Sequence, residues 1–188
     1  REKAQMRYRP SVSPDADAIR QAADMLIAAK KPIIYGGGGI INAGDKASEL
    51  LRELVDITKF PTTLTLMGLG ALPAEDPHFL GMLGMHGTYE ANMTMFHCDV
   101  MLNVGARFDD RVTGRTSGFS PASKKIHIDI DKSSINKNIT VDLGIIGDAA
   151  IALDMLVAEI KTRKAKINKD AVSEWWKQIE EWRAVRCL

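Results

Sequence analysis

The chain has 188 residues, of which 45% are hydrophobic and 26% are charged, and its formal net charge is +1. This length accommodates one domain with a sizeable core and is short for two. The near-zero charge and the lack of a dense basic run argue against a nucleic-acid surface, and no apolar stretch approaches the ~20 residues of a membrane helix.

The first half of the chain predicts a connector followed by alternating helices and strands. Residues 1–12 are typical of an extended, proline-bearing linker. Ser13-Pro14 predicts a helix N-cap with proline at the first helical position, and apolar residues at helical spacing continue to Lys30. The short apolar run KPIIYGGGG ends in four glycines. A second helix is predicted from Gly44 to Lys59, and FPTTLTL, rich in β-branched residues, predicts a strand.

The second half continues the alternation. GMLGMHGTYEAN leads into a predicted helix, DVMLNV and KKIHIDID predict strands, and LGIIGD predicts a short strand before a helix from Ala149 to Arg163. SEWWKQIEEWRAVRCL predicts an amphipathic helix. Strands that alternate with helices of about 10–15 residues predict an α/β fold with a doubly wound, Rossmann-like parallel sheet of about six strands, covered on both faces.

Glycine or aspartate ends each of the five strands that can be placed. In open parallel sheets, ligands bind beyond the carboxyl ends of the strands. The segment GARFDDRVTG, residues 105–114, follows DVMLNV at this edge. We therefore expect a ligand site there, formed around the strand ends at Gly36, Gly68, Gly105, Asp129 with Asp131, and Gly147 with Asp148.

The glycine run GGGGIINAG has two interpretations. Glycine lets the backbone approach a pyrophosphate closely, and a following helix offers free N–H groups. The dinucleotide fingerprint G-x-G-x-x-G is not satisfied, because Asn42 occupies its third position when it is counted from Gly37 and Gly39. A tight turn between strand and helix explains the run equally well.

The charged loop also has two interpretations. Asp109 and Asp110 could hold Mg²⁺ or act as an acid/base pair, but neighbouring loop carboxylates usually point apart and Arg107 and Arg111 neutralise them. A salt-bridged loop is therefore the simpler interpretation. Alternatively, Arg111 could bind a carboxylate or phosphate through its bidentate guanidinium.

Other polar residues indicate nucleotide binding without catalysis. Asp129 could accept ribose hydroxyls or the amino edge of adenine, or could be a polar strand terminus. His86 has no second ligand at metal-binding spacing, and its glycine-flanked segment suits a planar ligand. No G-x-S-x-G motif, paired cysteine nucleophile or Walker loop occurs. We therefore predict no catalytic residue and no metal ligand in this chain.

Six segments together resemble one family: KKPIIYGGGGIIN, TLMGLGALP, LGMLGMHGTYEAN, GARFDDRVTGR, KKIHIDID and IIGD. They are similar to the central domain of the acetohydroxyacid synthase (acetolactate synthase) large catalytic subunit, a thiamine-diphosphate enzyme. The resemblance covers nearly the whole chain. It implies an interdomain linker at residues 1–12, a central FAD-binding domain at 13–165, and a helix at 166–188 that leads toward a C-terminal thiamine-diphosphate domain.

The resemblance also implies site residues. In the family, FAD lies across the sheet ends and takes no part in net redox chemistry. A substrate channel is implied at Met85, Asp110 and Arg111, where Arg111 meets the carboxylate of the second ketoacid and Asp110 holds the guanidinium in place. Arg7 is implied as a FAD contact, with Arg9 as the alternative. The other implied FAD contacts are Gly37, Gly38, Thr65, Leu66, Leu83, Gly84, Met85, His86, Gly105, Ala106, Arg107, Phe108, Asp109, Asp129, Ile130, Asp148 and Ala149.

The implied activity is that of the family. The parent enzyme condenses two 2-ketoacids, pyruvate with pyruvate or 2-ketobutyrate, with decarboxylation, on the way to isoleucine and valine. Thiamine diphosphate and Mg²⁺ belong to the family's other two domains, and Gly147-Asp148-Ala149 lacks the last glycine of the metal-binding Gly-Asp-Gly motif. The chain alone is therefore expected to be an inactive middle domain.

The implied partners are the N- and C-terminal domains of the same enzyme, a homo-oligomer (dimer or tetramer) and a regulatory small subunit, with no nucleic acid and no membrane. Low cysteine content favours a reducing compartment, so we expect the cytoplasm in a bacterium or an organelle matrix in a eukaryote. Two alternatives stay open. One is the central domain of glyoxylate carboligase or pyruvate oxidase, and the other is a free-standing nucleotide-binding module.

Overall fold

The protein forms a single parallel sheet covered by helices. The structure, a computed structural model, describes residues 13–185, so Arg7, Arg9 and Cys187 lie outside the described residues. The strands are β1 (Pro32–Gly36), β2 (Thr62–Leu64), β3 (Phe79–Met82), β4 (Val100–Val104), β5 (Lys124–Asp129) and β6 (Leu143–Ile146). Their order is β3-β2-β1-β4-β5-β6, and every neighbouring pair is parallel. This confirms the predicted α/β sheet of about six strands.

Helices cover both faces of the sheet. They are α1 (Ala16–Ala28), α2 (Gly38–Asn42), α3 (Asp45–Thr58), α4 (Tyr89–His97), α5 (Asp110–Thr113), α6 (Ala149–Arg163) and α7 (Lys169–Arg183). On one face α6 packs between α1 and α3, and on the other α4 packs against α7. No helix within residues 13–185 has the length and apolar character that crossing a bilayer requires.

The sheet has a hydrophobic core on each face, and successive residues of a strand contribute to opposite cores. Ile34 of β1 belongs to the core beneath α1, α3 and α6, whereas its neighbours Ile33 and Tyr35 belong to the core beneath α4 and α7. The central strands β1 and β4 are buried along their whole length, because helices cover both of their faces. Their register runs from Pro32 beside Val100 to Gly36 beside Val104, so the two strands end side by side.

Helix ends agree with the sequence at α3 and α6 but not at α1. Gly44 and Lys59 cap α3, and α6 has the predicted bounds. The predicted cap at Ser13 is wrong: the N-cap of α1 is Asp15, whose carboxylate accepts the N–H of Asp17. Aspartate caps as well as serine does, so two adjacent capping sequences competed and the later one begins the helix.

The strand β3 is the one that the sequence did not place. Its sequence FLGM contains no β-branched residue, and Gly81 has a φ of +86°. The pairing with β2 is irregular between Thr62 and Leu64. An edge strand that is short, contains glycine and is irregularly paired carries little periodic signal, so it was not recognised within the segment before GMHG.

The C-terminal helix packs onto the domain. Trp175 of α7 is buried and its Nε1–H donates to the carbonyl of Pro32 at 3.0 Å. Trp176 donates to the carbonyl of Lys59 at 2.7 Å, and Ile179 is fully buried. The amphipathic helix predicted here is therefore confirmed, while the predicted domain boundary at residue 165 stays a prediction.

Candidate functional site

The sheet has a topological switch point between β1 and β4. From β1 the chain order runs outward to β2 and β3, and from β4 it runs the other way to β5 and β6. The loops that follow these two strands therefore diverge, and such a divergence is where ligands bind in doubly wound sheets. The Gly37 N–H donates to the Val104 carbonyl at 2.8 Å, and the Gly39 N–H to the Gly105 carbonyl at 3.0 Å. These bonds hold the floor of the site together.

An open cavity of about 610 Å³ lies at this switch point. The volume is within the ~300–1,000 Å³ range of small-molecule sites. The structure brings thirteen of the sequence-predicted residues into its wall: Gly38, Thr65, Leu66, Gly105, Ala106, Arg107, Asp109, Asp110, Arg111, Asp129, Ile130, Asp148 and Ala149. Asp131 and Gly147, expected at the strand ends, also line it. The wall further contains residues that sequence reasoning did not select, among them Tyr35, Met67, Val112, Ile128 and Ser134.

The glycine run serves the turn more than the cavity. A Cβ on Gly37 would overlap the backbone of Gly105, and one on Gly39 would lie 2.7 Å from the Gly105 Cα. At these two positions glycine is needed because two loops touch, which supports the tight-turn interpretation. Gly38 differs in that the atoms nearest to its Cβ would belong to Met67, with the Met67 side chain at 3.0 Å. Gly38 and Gly39 both line the cavity and present bare backbone to a ligand.

Asn103 braces the loop after β4. Its side chain is fully buried, its amide donates to the Ala106 carbonyl at 2.7 Å, and its amide oxygen accepts the Ala106 N–H at 3.1 Å. Sequence reasoning missed this residue. The available signal was a polar amide in the otherwise apolar strand DVMLNV, since a buried polar side chain needs hydrogen-bond partners.

The charged loop is partly salt-bridged. Arg107 and Asp109 form an ion pair at 2.8 Å, and both side chains are exposed. Asp110 begins α5, and Arg111 follows it. Within residues 13–185 neither Asp110 nor Arg111 forms an ion pair, so the expectation that Asp110 holds the Arg111 guanidinium is wrong for this structure. Since no described residue pairs with the Arg111 guanidinium at the cavity wall, it can bind an anion there.

The GMHG segment, residues 84–87, lies beside the cavity wall. The Met85 N–H donates to the Arg111 carbonyl at 2.9 Å, and a Cβ on Gly84 would lie 2.5 Å from the same oxygen. Asn92 of α4 holds Gly84 through two 3.0 Å hydrogen bonds. The structure thus places the predicted channel residues Met85 and Arg111 next to each other. Among residues 13–185, the predicted FAD contacts that do not line the cavity are Gly37, Leu83, Gly84, Met85, His86 and the buried Phe108.

Two carboxylates at the strand ends differ in how they are used. The Oδ1 of Asp148 accepts the N–H groups of Ala150 and Ile151 and so caps α6. Asp129 is almost buried, and its Oδ1 accepts the Asp131 N–H at 2.8 Å. Oδ1 of Asp148 thus accepts two helix N–H groups and Oδ1 of Asp129 accepts one loop N–H, so Asp129 keeps the larger acceptor capacity.

The electrostatics suit a ligand that carries both anionic and hydroxyl groups. Arg107 and Arg111 supply permanent positive charge, and Asp129 supplies acceptors. Burial, and then the charge of Asp109, raise the pKa of the Tyr35 phenol, so Tyr35 stays neutral in the wall. No cluster of three or more metal-ligating side chains occurs in the described part of the chain. The arrangement can bind a phosphorylated riboside.

Comparison with known proteins gives consistent results. The family model "Thiamine pyrophosphate enzyme, central domain" matches residues 19–156. The chain is 46% identical over 181 residues to the acetolactate synthase isozyme 3 large subunit of Escherichia coli K12, and 44% identical to the acetolactate synthase large subunit of Haemophilus influenzae. Each alignment covers 96% of this chain and 31% of the relative. Acetolactate synthase of Mycobacterium avium is 41% identical over 93% of this chain and 28% of its own length. The chain therefore spans about a third of the length of these relatives.

Proposed function

This chain belongs to the thiamine pyrophosphate enzyme family, whose central domain it matches over residues 19–156, and we propose that it binds the ADP half of FAD in the cavity at the switch point. One observation carries the proposal: the cavity joins the ends of β1, β4 and β5 at the edge where doubly wound sheets bind nucleotides. Its volume and its mixture of arginines, carboxylates and bare backbone fit such a ligand.

Each lining residue is proposed to contact the part of the ligand that its chemistry suits. Asp129 would accept the ribose hydroxyls, because a carboxylate is a pure acceptor with capacity for several hydrogen bonds. Arg107 would bind the diphosphate, in exchange for its exposed ion pair with Asp109, which itself contributes only ~0–1 kcal/mol. Gly38 and Gly105 would let the ligand approach the backbone. Thr65 and Leu66 line the same wall at the end of β2.

We propose further that the chain is the central domain of an acetolactate synthase, which condenses pyruvate with pyruvate or 2-ketobutyrate. The acetolactate synthase relatives support this activity over that of glyoxylate carboligase or pyruvate oxidase. When bound, thiamine diphosphate with Mg²⁺ supplies the carbanion. This chain would contribute Met85 and Arg111 to the substrate channel, where Arg111 binds the carboxylate of the second ketoacid through two hydrogen bonds.

Partners and location follow from the same proposal. The enzyme would contain N- and C-terminal domains around this one, would form a homo-oligomer and would work in the bacterial cytoplasm, with a regulatory small subunit. The 188-residue chain alone should make no acetolactate when it is given pyruvate, Mg²⁺, thiamine diphosphate and FAD. The reason is that the resemblance assigns thiamine and metal binding to parts of the relatives that this chain does not match. Turnover that survives removal of host enzyme would contradict this.

Calorimetric titration tests the binding proposal. FAD and ADP should bind, and Asp129→Asn should weaken both by about tenfold, since hydrogen bonds to charged groups contribute about 1.5–3 kcal/mol. Asp142→Asn is the matched control: Asp142 accepts the Lys125 N–H at the opposite end of β5, so its loss should leave affinity unchanged. Tight binding of NAD with no response to FAD would instead support the free-standing nucleotide module.

A further inference from the structure

His127 is a buried histidine whose ring has no hydrogen-bond partner. It lies on β5 and is 0% exposed, and neither Nδ1 nor Nε2 has a partner among the described residues. A buried polar group without a partner lowers the stability of the fold, and an apolar side chain would fill the same space without that cost. A role in packing alone therefore does not explain a histidine at this position.

One acceptor lies just out of its reach. Asp129 is two residues further along β5, so its side chain is on the same face of the strand. The distance from His127 Nε2 to Asp129 Oδ2 is 3.6 Å, slightly longer than a hydrogen bond. Asp129 is itself incompletely satisfied: its side chain is 10% exposed, and within residues 13–185 its one hydrogen bond is the N–H of Asp131 on Oδ1. A ring nitrogen without a partner thus lies close to a carboxylate oxygen without one.

An aromatic ring packs against the imidazole of His127. The Phe108 ring meets it edge-on, with the ring centroids 5.2 Å apart and the planes at 75°. Phe108 is held there in a left-handed conformation (φ 54°), and Asn138 donates to its carbonyl at 3.0 Å. The apolar Phe108 thus closes one side of the ring, and among residues 13–185 Asp129 is the carboxylate within 4 Å of it.

We infer that His127 is a positioning residue for Asp129, whose Nε2–H donates to Oδ2 when that carboxylate accepts the ribose hydroxyls of a nucleotide. The inference rests on the proposed nucleotide binding. With Oδ1 held by the Asp131 N–H and Oδ2 by His127, the plane of the carboxylate is fixed and its remaining lone pairs face the cavity. A decrease of a few tenths of an ångström in the distance from Nε2 to Oδ2 is enough to form this hydrogen bond. Because Nε2 already lies 3.6 Å from Oδ2 in the free chain, little rearrangement is needed to fix the carboxylate, which limits the ordering cost of binding.

Three substitutions separate positioning from packing. In His127→Gln the amide nitrogen occupies nearly the place of Nε2, in His127→Asn it lies nearer Nδ1, and His127→Phe has no donor. We expect His127→Phe and His127→Asn to weaken ADP binding about tenfold and His127→Gln to restore it to within about threefold. The melting temperature of His127→Phe should not fall. Thr94→Val is the control, since Thr94 is another buried side chain whose hydroxyl has no partner, and its ADP affinity should equal that of the unmodified chain.

The ¹⁵N spectrum of the imidazoles gives a second, ligand-independent readout. Nε2 of His127 should carry the proton in the free chain, and its signal should move on addition of ADP and on Asp129→Asn, while the signals of His78 and His97 stay in place. If the unmodified chain does not bind ADP, the proposed function fails, and the Asp129→Asn spectrum still decides the inference. The inference is overturned if His127→Phe binds ADP normally, or if the His127 signal ignores Asp129→Asn.

Discussion

Replacing Asn103 with alanine should loosen the loop that forms one side of the cavity. The Asn103 amide makes two hydrogen bonds to the backbone of Ala106, at 2.7 and 3.1 Å, and both residues are buried. Alanine removes both partners at once. The N–H and C=O of Ala106 then either stay unsatisfied or reach water only by a shift of the loop.

The expected loss of stability follows from these two groups. Leaving a buried backbone donor or acceptor without a partner costs about 1–3 kcal/mol, and some relaxation of the loop toward the cavity reduces the sum. We therefore expect Asn103→Ala to lower the free energy of unfolding by about 2–4 kcal/mol. A domain of this size has about 5–15 kcal/mol in total, so the variant should still fold.

Urea titration and calorimetry with ADP measure the two consequences. Asn138→Ala is the matched control, because Asn138 is exposed and reaches the same loop from outside, donating to the Phe108 carbonyl. Its loss should cost less than about 1 kcal/mol. Asn103→Ala should also weaken ADP binding, since the Gly105 turn forms part of the wall. A stability loss no larger than that of Asn138→Ala would refute the reasoning.

Three further predictions follow from other parts of the structure. Burial raises the pKa of the Cys98 thiol from 9.0 to about 11. The free energy of unfolding should therefore fall as pH rises between these values, by up to about 1.4 kcal/mol per pH unit. Denaturation curves of Cys98→Ala should lack this pH dependence. Trp175→Phe removes the buried hydrogen bond to the Pro32 carbonyl and should cost about 1–3 kcal/mol in urea titration, and a loss within error of zero would contradict the role of Trp175 in holding α7. In the enzyme with its flanking domains, Arg111→Lys should reduce kcat/KM for the second ketoacid and leave flavin absorbance unchanged, whereas Arg107→Ala should lower flavin content. Unaltered kinetics of Arg111→Lys with both acceptors would reject the channel role.

The fold was predictable where local signals agreed with each other. The helix α6 could be bounded because Asp148 is a strong N-cap and an apolar face runs to Arg163. The start of α1 was not, because Ser13 and Asp15 are both good caps and tertiary packing, with Pro14 against Gly147, selects between them. The strand β3 depends on pairing with β2, and the sequence FLGM alone does not predict this long-range interaction.

The candidate site was predictable at the level of an edge but not of contacts. Glycine and aspartate at the strand ends correctly indicated where the cavity lies. The reason for Gly39 was not visible, because it depends on which loop faces it, namely that of Gly105. The same holds for His127, whose inferred role depends on its distance to Asp129 and on its contact with the ring of Phe108. Such facts belong to tertiary structure and have no local sequence pattern.

The cavity wall and the residues that brace it are therefore of two kinds with different expected phenotypes. Gly39 and Asn103 are committed to holding the two loops together, so changing either should lower stability and nucleotide affinity in parallel. Arg107, Arg111 and Asp129 retain charge or hydrogen-bonding capacity that the fold itself uses little. Changes there should alter binding while the free energy of unfolding stays nearly constant. A ligand gains specificity from groups that the fold has not already satisfied, so we expect these arginines and this carboxylate to recognise it.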